Sequence, residues 1–257
     1  MILKLIRFKS NSLLSLIYRL RFMYITRNDW VMGRVACLGS RSFENTKSNY
    51  KMYNLQKGRI DFLLDSFEKG KNQTKPSLDL LKFIVRDDIK KIALQQFYSF
   101  FNAGNAPKYL IMDSSSEMAD YKFVSAKNKE CFFFAYFSDV KRNSGTDLLS
   151  SGLLNIDASL MGLYLRFFAA IRSKYPDIPI IYIHYPSKFE KRQSLLKRHH
   201  NLRKLIRQVS HKLDNFHIID IPDDKVEMQD SSDSLYHFTA SVYSYISKEI
   251  SVLIKDE

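Results

Sequence analysis

Apolar residues in this chain alternate between short continuous runs and longer helical stripes. The runs Arg34–Gly39 (R-V-A-C-L-G), Tyr50–Leu55, Tyr109–Met112 and Phe216–Ile221 read as strands, and Pro179–Tyr185 (P-I-I-Y-I-H-Y) reads so most clearly. Unbroken apolar runs of this length suit strands covered on both faces. Apolar positions three and four apart predict helices over Ile60–Phe67, Leu78–Phe101, Leu154–Lys174, Ser194–Leu213 and Phe238–Ile254. The clearest break is Asn102–Pro107 (N-A-G-N-A-P). Tyr121–Ser125 and Cys131–Phe137 flank Lys127-Asn128-Lys129-Glu130 and predict a hairpin. Strands alternating with helices call for parallel crossovers. The expected fold is α/β: a three-layer α/β/α sandwich with a mainly parallel sheet and a small β-hairpin insert.

Residues 1–30 read as a separate basic segment ahead of a domain over 31–257. Lys4, Arg7, Lys9, Arg19, Arg21 and Arg27 interleave with Leu13, Ile17, Leu20 and Tyr24, which share a helical stripe. Such a helix either lies on an anionic membrane face or docks on the domain's own core. Ser10–Tyr18 is uncharged but well short of the roughly 20 residues a span needs, and no small-residue cleavage site follows it. The expected location is cytoplasmic, with peripheral contact to the inner membrane through residues 1–30.

The chain has 257 residues, of which 45% are hydrophobic, enough for one sizeable core. Its formal net charge of +13 favours anionic partners. The helix expected after Lys188 carries much of that charge, a pattern shared by solvated helix faces and polyanion landing strips. No nucleic-acid motif accompanies it, so nucleic acid is not the expected partner. Cys37 and Cys131 both fall in apolar runs, as small buried hydrophobes do, and no C-x-x-C spacing suggests a metal site.

In open α/β sheets, chemistry gathers at the carboxyl ends of strands. Polar residues stand at four such ends: Gly39-Ser40-Arg41-Ser42, Asp113-Ser114-Ser115-Ser116-Glu117, His184, and the segment Asp230–His237. Serine, carboxylate and histidine converging on one rim are what acyl transfer requires, because a hydroxyl needs a base and the base needs an orienting partner. Ser40 and Ser42 also suit turn or N-cap positions. Ser114 to Glu117 has the spacing of a capping box.

The run H-F-T-A-S-V-Y-S-Y-I-S-K-E-I resembles the last conserved block of SGNH/GDSL hydrolases, where Asp-x-x-His precedes the final helix. The resemblance implies His237 as general base and Asp233 as its partner. Here the spacing is Asp-x-x-x-His, which leaves Asp230 or a backbone carbonyl as alternatives. V-A-C-L-G-S-R-S resembles the family's first block; aligned on Gly39, the nucleophile position falls on Arg41, with Ser40 preferred as nucleophile and its N–H as an oxyanion donor. The order of blocks from Arg34 to Ile254 is similar to a divergent SGNH-like family associated with bacterial surface-polysaccharide biosynthesis.

That resemblance implies an esterase or O-acyltransferase, acetyl being the expected acyl group, acting on a capsular or surface polysaccharide or its precursor. Ser40, His237 and Asp233 would be catalytic, with Gly39, Arg41, Ser42, Asp113, Ser114, Glu117 and His184 binding substrate or an oxyanion. No metal or resident cofactor is expected; a transferase would use an acyl donor such as acetyl-CoA. The expected partner is an anionic glycan or acylated saccharide. The alternative is a catalytically degenerate SGNH-fold module that binds an anionic glycan or membrane surface.

Overall fold

The computed structural model describes residues 20–69, 78–94, 105–141, 147–229 and 237–254. Its centre is a five-stranded sheet in the order β2-β1-β3-β7-β8. The strands are β1 (Trp30–Arg34), β2 (Lys51–Asn54), β3 (Leu110–Asp113), β7 (Ile180–Ile183) and β8 (Phe216–Ile219), and every pairing among them is parallel. A smaller antiparallel sheet, in the order β5-β4-β6, is built from β4 (Tyr121–Ser125), β5 (Phe132–Ala135) and β6 (Leu148–Ser150). The expected α/β sandwich with its hairpin insert is thus present, and the hairpin gains β6 as a third strand.

Strand alternation sorts the sheet residues between two helical layers. Trp30, Met32, Leu110, Met112, Ile180 and Tyr182 join one core cluster. That cluster includes residues of α3 (Ile60–Lys69), α6 (Ala158–Lys174) and α7 (Gln193–Ser210). Val31, Ile111, Ile181, Ile183 and Ile219 join a second cluster, with residues of α2 (Cys37–Glu44) and α8 (Ala240–Ile254). In α8 the buried positions Val242, Tyr243, Ile246 and Ile250 form one stripe, and in α7 His199, Leu202, Leu205, Ile206 and Val209 do the same. The helical segment over 20–26 (α1) buries Phe22 and Ile25 in the first cluster, while Leu20, Met23 and Tyr24 stay exposed. Among the described residues, no helix is long and apolar enough to cross a membrane.

Three of the departures from the sequence reading have a local cause. The first strand is Trp30–Arg34, and the second half of the expected strand Arg34–Gly39 is the start of α2. Every residue from Trp30 to Ala36 is buried, so the apolar run crosses from strand to helix without a change in hydropathy. Cys37 is therefore the first residue of a helix, and Cys131 precedes β5 instead of lying in it. The expected helix Leu78–Phe101 is interrupted: Leu78–Phe83 is a 3-10 turn, Ile84 bridges Val140, and α4 (Asp87–Leu94) starts anew. The break follows from pairing: the Val85 N–H donates to Asp139 O and the Lys141 N–H to Phe83 O, both at 2.9 Å, so this backbone serves a neighbouring segment. Residues 95–101 lie outside the described residues. Finally, α6 begins at Ala158 because Asp157 caps it, its side chain accepting from the N–H groups of Ser159 and Leu160.

The entry into α2 is tight at Gly39. A methyl group built there would stand 2.6 Å from Val35 Cβ and Cγ1. Gly39→Ala gains about 1 kcal/mol of helix propensity but overpacks a rigid contact, which costs about 1–3 kcal/mol. We expect the variant to be less stable, seen as a lower urea midpoint with an unchanged slope; a midpoint at or above wild type would show that α2 can move away from Val35.

Candidate functional site

The chain passes from β1 outward to β2 and then back across β1 to β3. This reversal opens a crevice at the carboxyl ends of β1 and β3, where α/β sheets place ligands. Asp113, the last residue of β3, is 1% exposed and belongs to the face covered by α2. Its Oδ2 accepts the Ala36 N–H at 2.6 Å and its Oδ1 the Ser115 N–H at 3.1 Å. The carboxyl group thereby ties the exit of β1 to the exit of β3. Burial pushes its pKa up to about 7, against the opposing pull of Arg34 and the two N–H donors.

Two further bonds bring in β7. The Tyr185 N–H donates to Ser114 Oγ at 2.9 Å, and the Tyr185 hydroxyl accepts the Leu38 N–H at 3.2 Å. Cys37 sits between these anchors as the first residue of α2, a free, half-buried thiol. It is near enough to add to the upward pKa shifts of Tyr136 and Tyr185, which burial dominates. Tyr136 shares a 2.6 Å hydrogen bond with Ser115 Oγ. Its ring lies 3.5 Å under Lys57 Nζ, a buried ammonium 3.4 Å from both Asp120 and Asp139. Lys57, Tyr136 and Tyr185 were invisible as site residues in the sequence because only tertiary contacts bring them to the rim.

The segment that carries His237 reaches the same rim from the other end of the chain, through Phe238. It is half-buried, and its carbonyl accepts the Gln229 N–H. The next residue, Phe238, bridges Met228, and its N–H donates to the Tyr243 hydroxyl. Its ring centroid lies 6.5 Å from that of Tyr185, the residue that holds Leu38. Arg41 lies over the Tyr243 ring of α8 at 5.6 Å. The first turns of α2 and the segment before α8 therefore share Tyr185 and Tyr243 as common neighbours. Asp233 and Asp230 lie outside the described residues.

The other expected site residues divide sharply. The Ser40 N–H donates to Ala36 O at 2.9 Å, so it is committed to the helix and not to an oxyanion. Ser40 itself lines a cavity of about 340 Å³ between α1, α2 and β2. Ser42 is fully buried and its hydroxyl donates back to Leu38 O. Gly39 serves packing against Val35. Ser114 begins the short helix α5 (Ser115–Ala119) without a side-chain capping bond. Glu117 is a counter-ion: Arg34 Nη1 donates to both its oxygens, at 2.8 and 2.7 Å, with both side chains wholly buried. Arg34 Nη2 also reaches Asp113 O and the Tyr164 hydroxyl.

His184 is 1% exposed and takes the face of Tyr182, away from α2 and α8. It joins His199, Arg203 and Asp220 in a buried polar cluster with α7, where His184 Nε2 and His199 Nε2 have no hydrogen-bond partner. Burial pushes both imidazoles down to about 4, with Arg203 adding to the shift. Among the described residues, no three His, Cys, Asp or Glu side chains are placed to hold a metal ion.

These buried groups titrate in opposite senses. A histidine lowered from 6.5 to about 4 takes up its proton more readily when unfolded, so stability falls as pH drops through that window. Asp113, raised from 3.8 to about 7, holds its proton more readily when folded and so opposes that fall over nearly the same window. Asp120, also raised by burial, acts in the same sense as Asp113. We expect the urea midpoint of Asp113→Asn to fall more steeply, or rise less, than that of wild type between pH 6.5 and pH 4.5. Parallel pH dependences in the two proteins would show that Asp113 does not titrate there.

No family model matches the chain. No curated protein matches it either. Among solved structures it is similar to a carbohydrate esterase family 2 enzyme with a carbohydrate-binding domain, from Corynascus thermopiles (Myceliophthora fergusii). The TM-score is 0.45 and the identity 12%, over 88% of this chain and 66% of that one, just under two thirds of its length.

Proposed function

We propose that the chain is an acyl-ester hydrolase or acyltransferase of the SGNH type acting on a saccharide. The observation that carries the reading is the shared rim: Tyr185 holds the start of α2 through its hydroxyl and touches Phe238, next to His237, through its ring. Cys37, at the first position of α2, is the nucleophile we favour. His237 takes the thiol proton as the sulfur attacks the ester carbonyl, and returns it to the departing sugar oxygen as the C–O bond breaks. The resulting thioester passes its acyl group to water, or to a second sugar hydroxyl, with His237 again accepting the proton. Asp113 would fix the backbone that carries Cys37. Ser40, one turn along the helix, is the alternative nucleophile, and Asp233 or Asp230 the expected orienting group for His237. Which surface polysaccharide is acted on, and whether acetyl-CoA supplies the acyl group, belongs to the same proposal.

The test is turnover of 4-nitrophenyl acetate and of an O-acetylated methyl hexoside. We expect Cys37→Ala and His237→Ala each to lower kcat by at least about 100-fold, with melting temperatures near wild type, and Ser40→Ala to lower it by less than ten-fold. Loss of turnover in Ser40→Ala but not in Cys37→Ala would move the nucleophile to Ser40. Indifference to His237→Ala would end the acyl-transfer reading.

A second reading is favoured by α7, where Lys197, His200 and Lys204 are all exposed. A module that binds an anionic glycan or membrane surface would use that helix. It predicts retention on heparin-agarose that weakens steeply between 50 and 200 mM salt and weakens again when Lys197 and Lys204 are replaced by Gln. Retention indifferent to salt would exclude it.

A further inference from the structure

We infer that the cavity between α1, α2 and β2 seats one uncharged hexopyranose ring of the substrate, with its ester arm reaching along α2 to Cys37, an inference that rests on the acyl-ester reading above. The cavity, about 340 Å³, falls in the size range of small-molecule sites. Its lining includes Ser40 and Gln56, a hydroxyl and an amide side chain, and Asn54, whose amide is spent on the Val35 backbone, with Arg21 and Glu44 of opposite charge and the aromatic residues Phe43 and Tyr53. Hydroxyls and amides both donate and accept, as sugar hydroxyls do. The two charges balance, so the lining offers no net attraction to an anionic ring.

Position supplies the rest. Ser40 follows Cys37 by three residues on one helical face, which places their Cβ atoms about 5–6 Å apart. A ring held at Ser40 therefore needs only an exocyclic ester arm to present its carbonyl to the thiol. The cavity floor is fixed to the same strand exit, since the Asn54 amide accepts the Val35 N–H and donates to the Val35 carbonyl, at 3.0 and 2.8 Å. Gln56 is anchored through its carbonyl, which accepts the Ser116 hydroxyl at 3.1 Å. Ser40 becomes a substrate contact in this arrangement, and the basic surface of α7 takes no part in holding the ring.

The experiment has two arms. In the first, saturation-transfer NMR on the full chain compares methyl α-glucopyranoside and methyl β-galactopyranoside with methyl glucuronide. In the second, kcat/KM is measured for methyl 6-O-acetylglucopyranoside and for 4-nitrophenyl acetate. Ser40→Phe fills the cavity from the half-exposed side of α2; Gln56→Ala removes one polar contact and serves if Ser40→Phe misfolds. We expect transfer to the neutral hexosides in wild type, its loss in Ser40→Phe, and a fall of about ten-fold in the ratio of sugar-ester to aryl-acetate kcat/KM in Gln56→Ala. Absent hexoside signals, signals equal in wild type and both variants, or stronger transfer to the glucuronide would overturn the inference. Hexoside binding lost in Ser40→Phe by a protein inert to 4-nitrophenyl acetate would instead retire the acyl-ester reading and keep the cavity as a saccharide site.

Discussion

The fully buried pair of Arg34 and Glu117 governs this structure, because it locks together the ends of the two strands between which the crevice opens. Removing two charges from water is expensive, and their attraction offsets that cost only when the remaining polar atoms are also satisfied. Here Arg34 spends its second terminal nitrogen on the Asp113 carbonyl and the Tyr164 hydroxyl, which in turn meets Tyr182, while its Nε is buried without a hydrogen-bond partner. The result is a rigid block at the end of β3. Asp113 projects from it toward α2 and grips the Ala36 N–H, so the first turn of that helix is set by a charge pair on the opposite face of the sheet. Losing one partner of such a pair costs about 3–5 kcal/mol, and the site would lose its frame with it.

Strand parity then decides which polar residues have structural roles and which face the crevice. Arg34 and His184 share the face of Met32 and Tyr182, under α6 and α7, and become struts or members of a buried cluster. Asp113 shares the face of Ile111, under α2 and α8, and so lies beside the start of α2. A strand-end residue one position earlier or later changes layer entirely. This separates His184 from His237, although both stand at carboxyl ends of the sheet.

Much of the fold was legible because its signals are local. Ile180–Ile183 is buried at every position and bounded by proline, so its apolar run could be nothing but an interior strand. The stripe of α7 needed only its own spacing. The start of α2 was not legible, and for a definite reason: Val35, Ala36 and Leu38 are buried against the second cluster as completely as β1 is, so hydropathy does not mark where strand becomes helix. Aligning the first block on Gly39 therefore placed the family's nucleophile position on Arg41, which lies against α8, and left Cys37, the first residue of the helix, to be read as part of a strand. Glu117 was visible as an acid, but its partner stands 83 residues away in sequence, and no spacing rule announces such a pair.

The basic surface and the candidate chemistry occupy different layers. Helix α7 covers the face of Tyr182, whereas α2 and α8, which frame Cys37 and His237, cover the other. Between them lies a sheet at whose strand ends Arg34, Asp113 and Glu117 are already committed to buried partners. Charge on α7 acts at the rim only through the long-range field, and that field is screened within about 8–10 Å at physiological salt. Affinity for polyanions and turnover of an ester are thus separable properties of this fold. A chain that kept one while losing the other would still be the same structure, with its strongest constraint, the buried pair beneath Asp113, untouched.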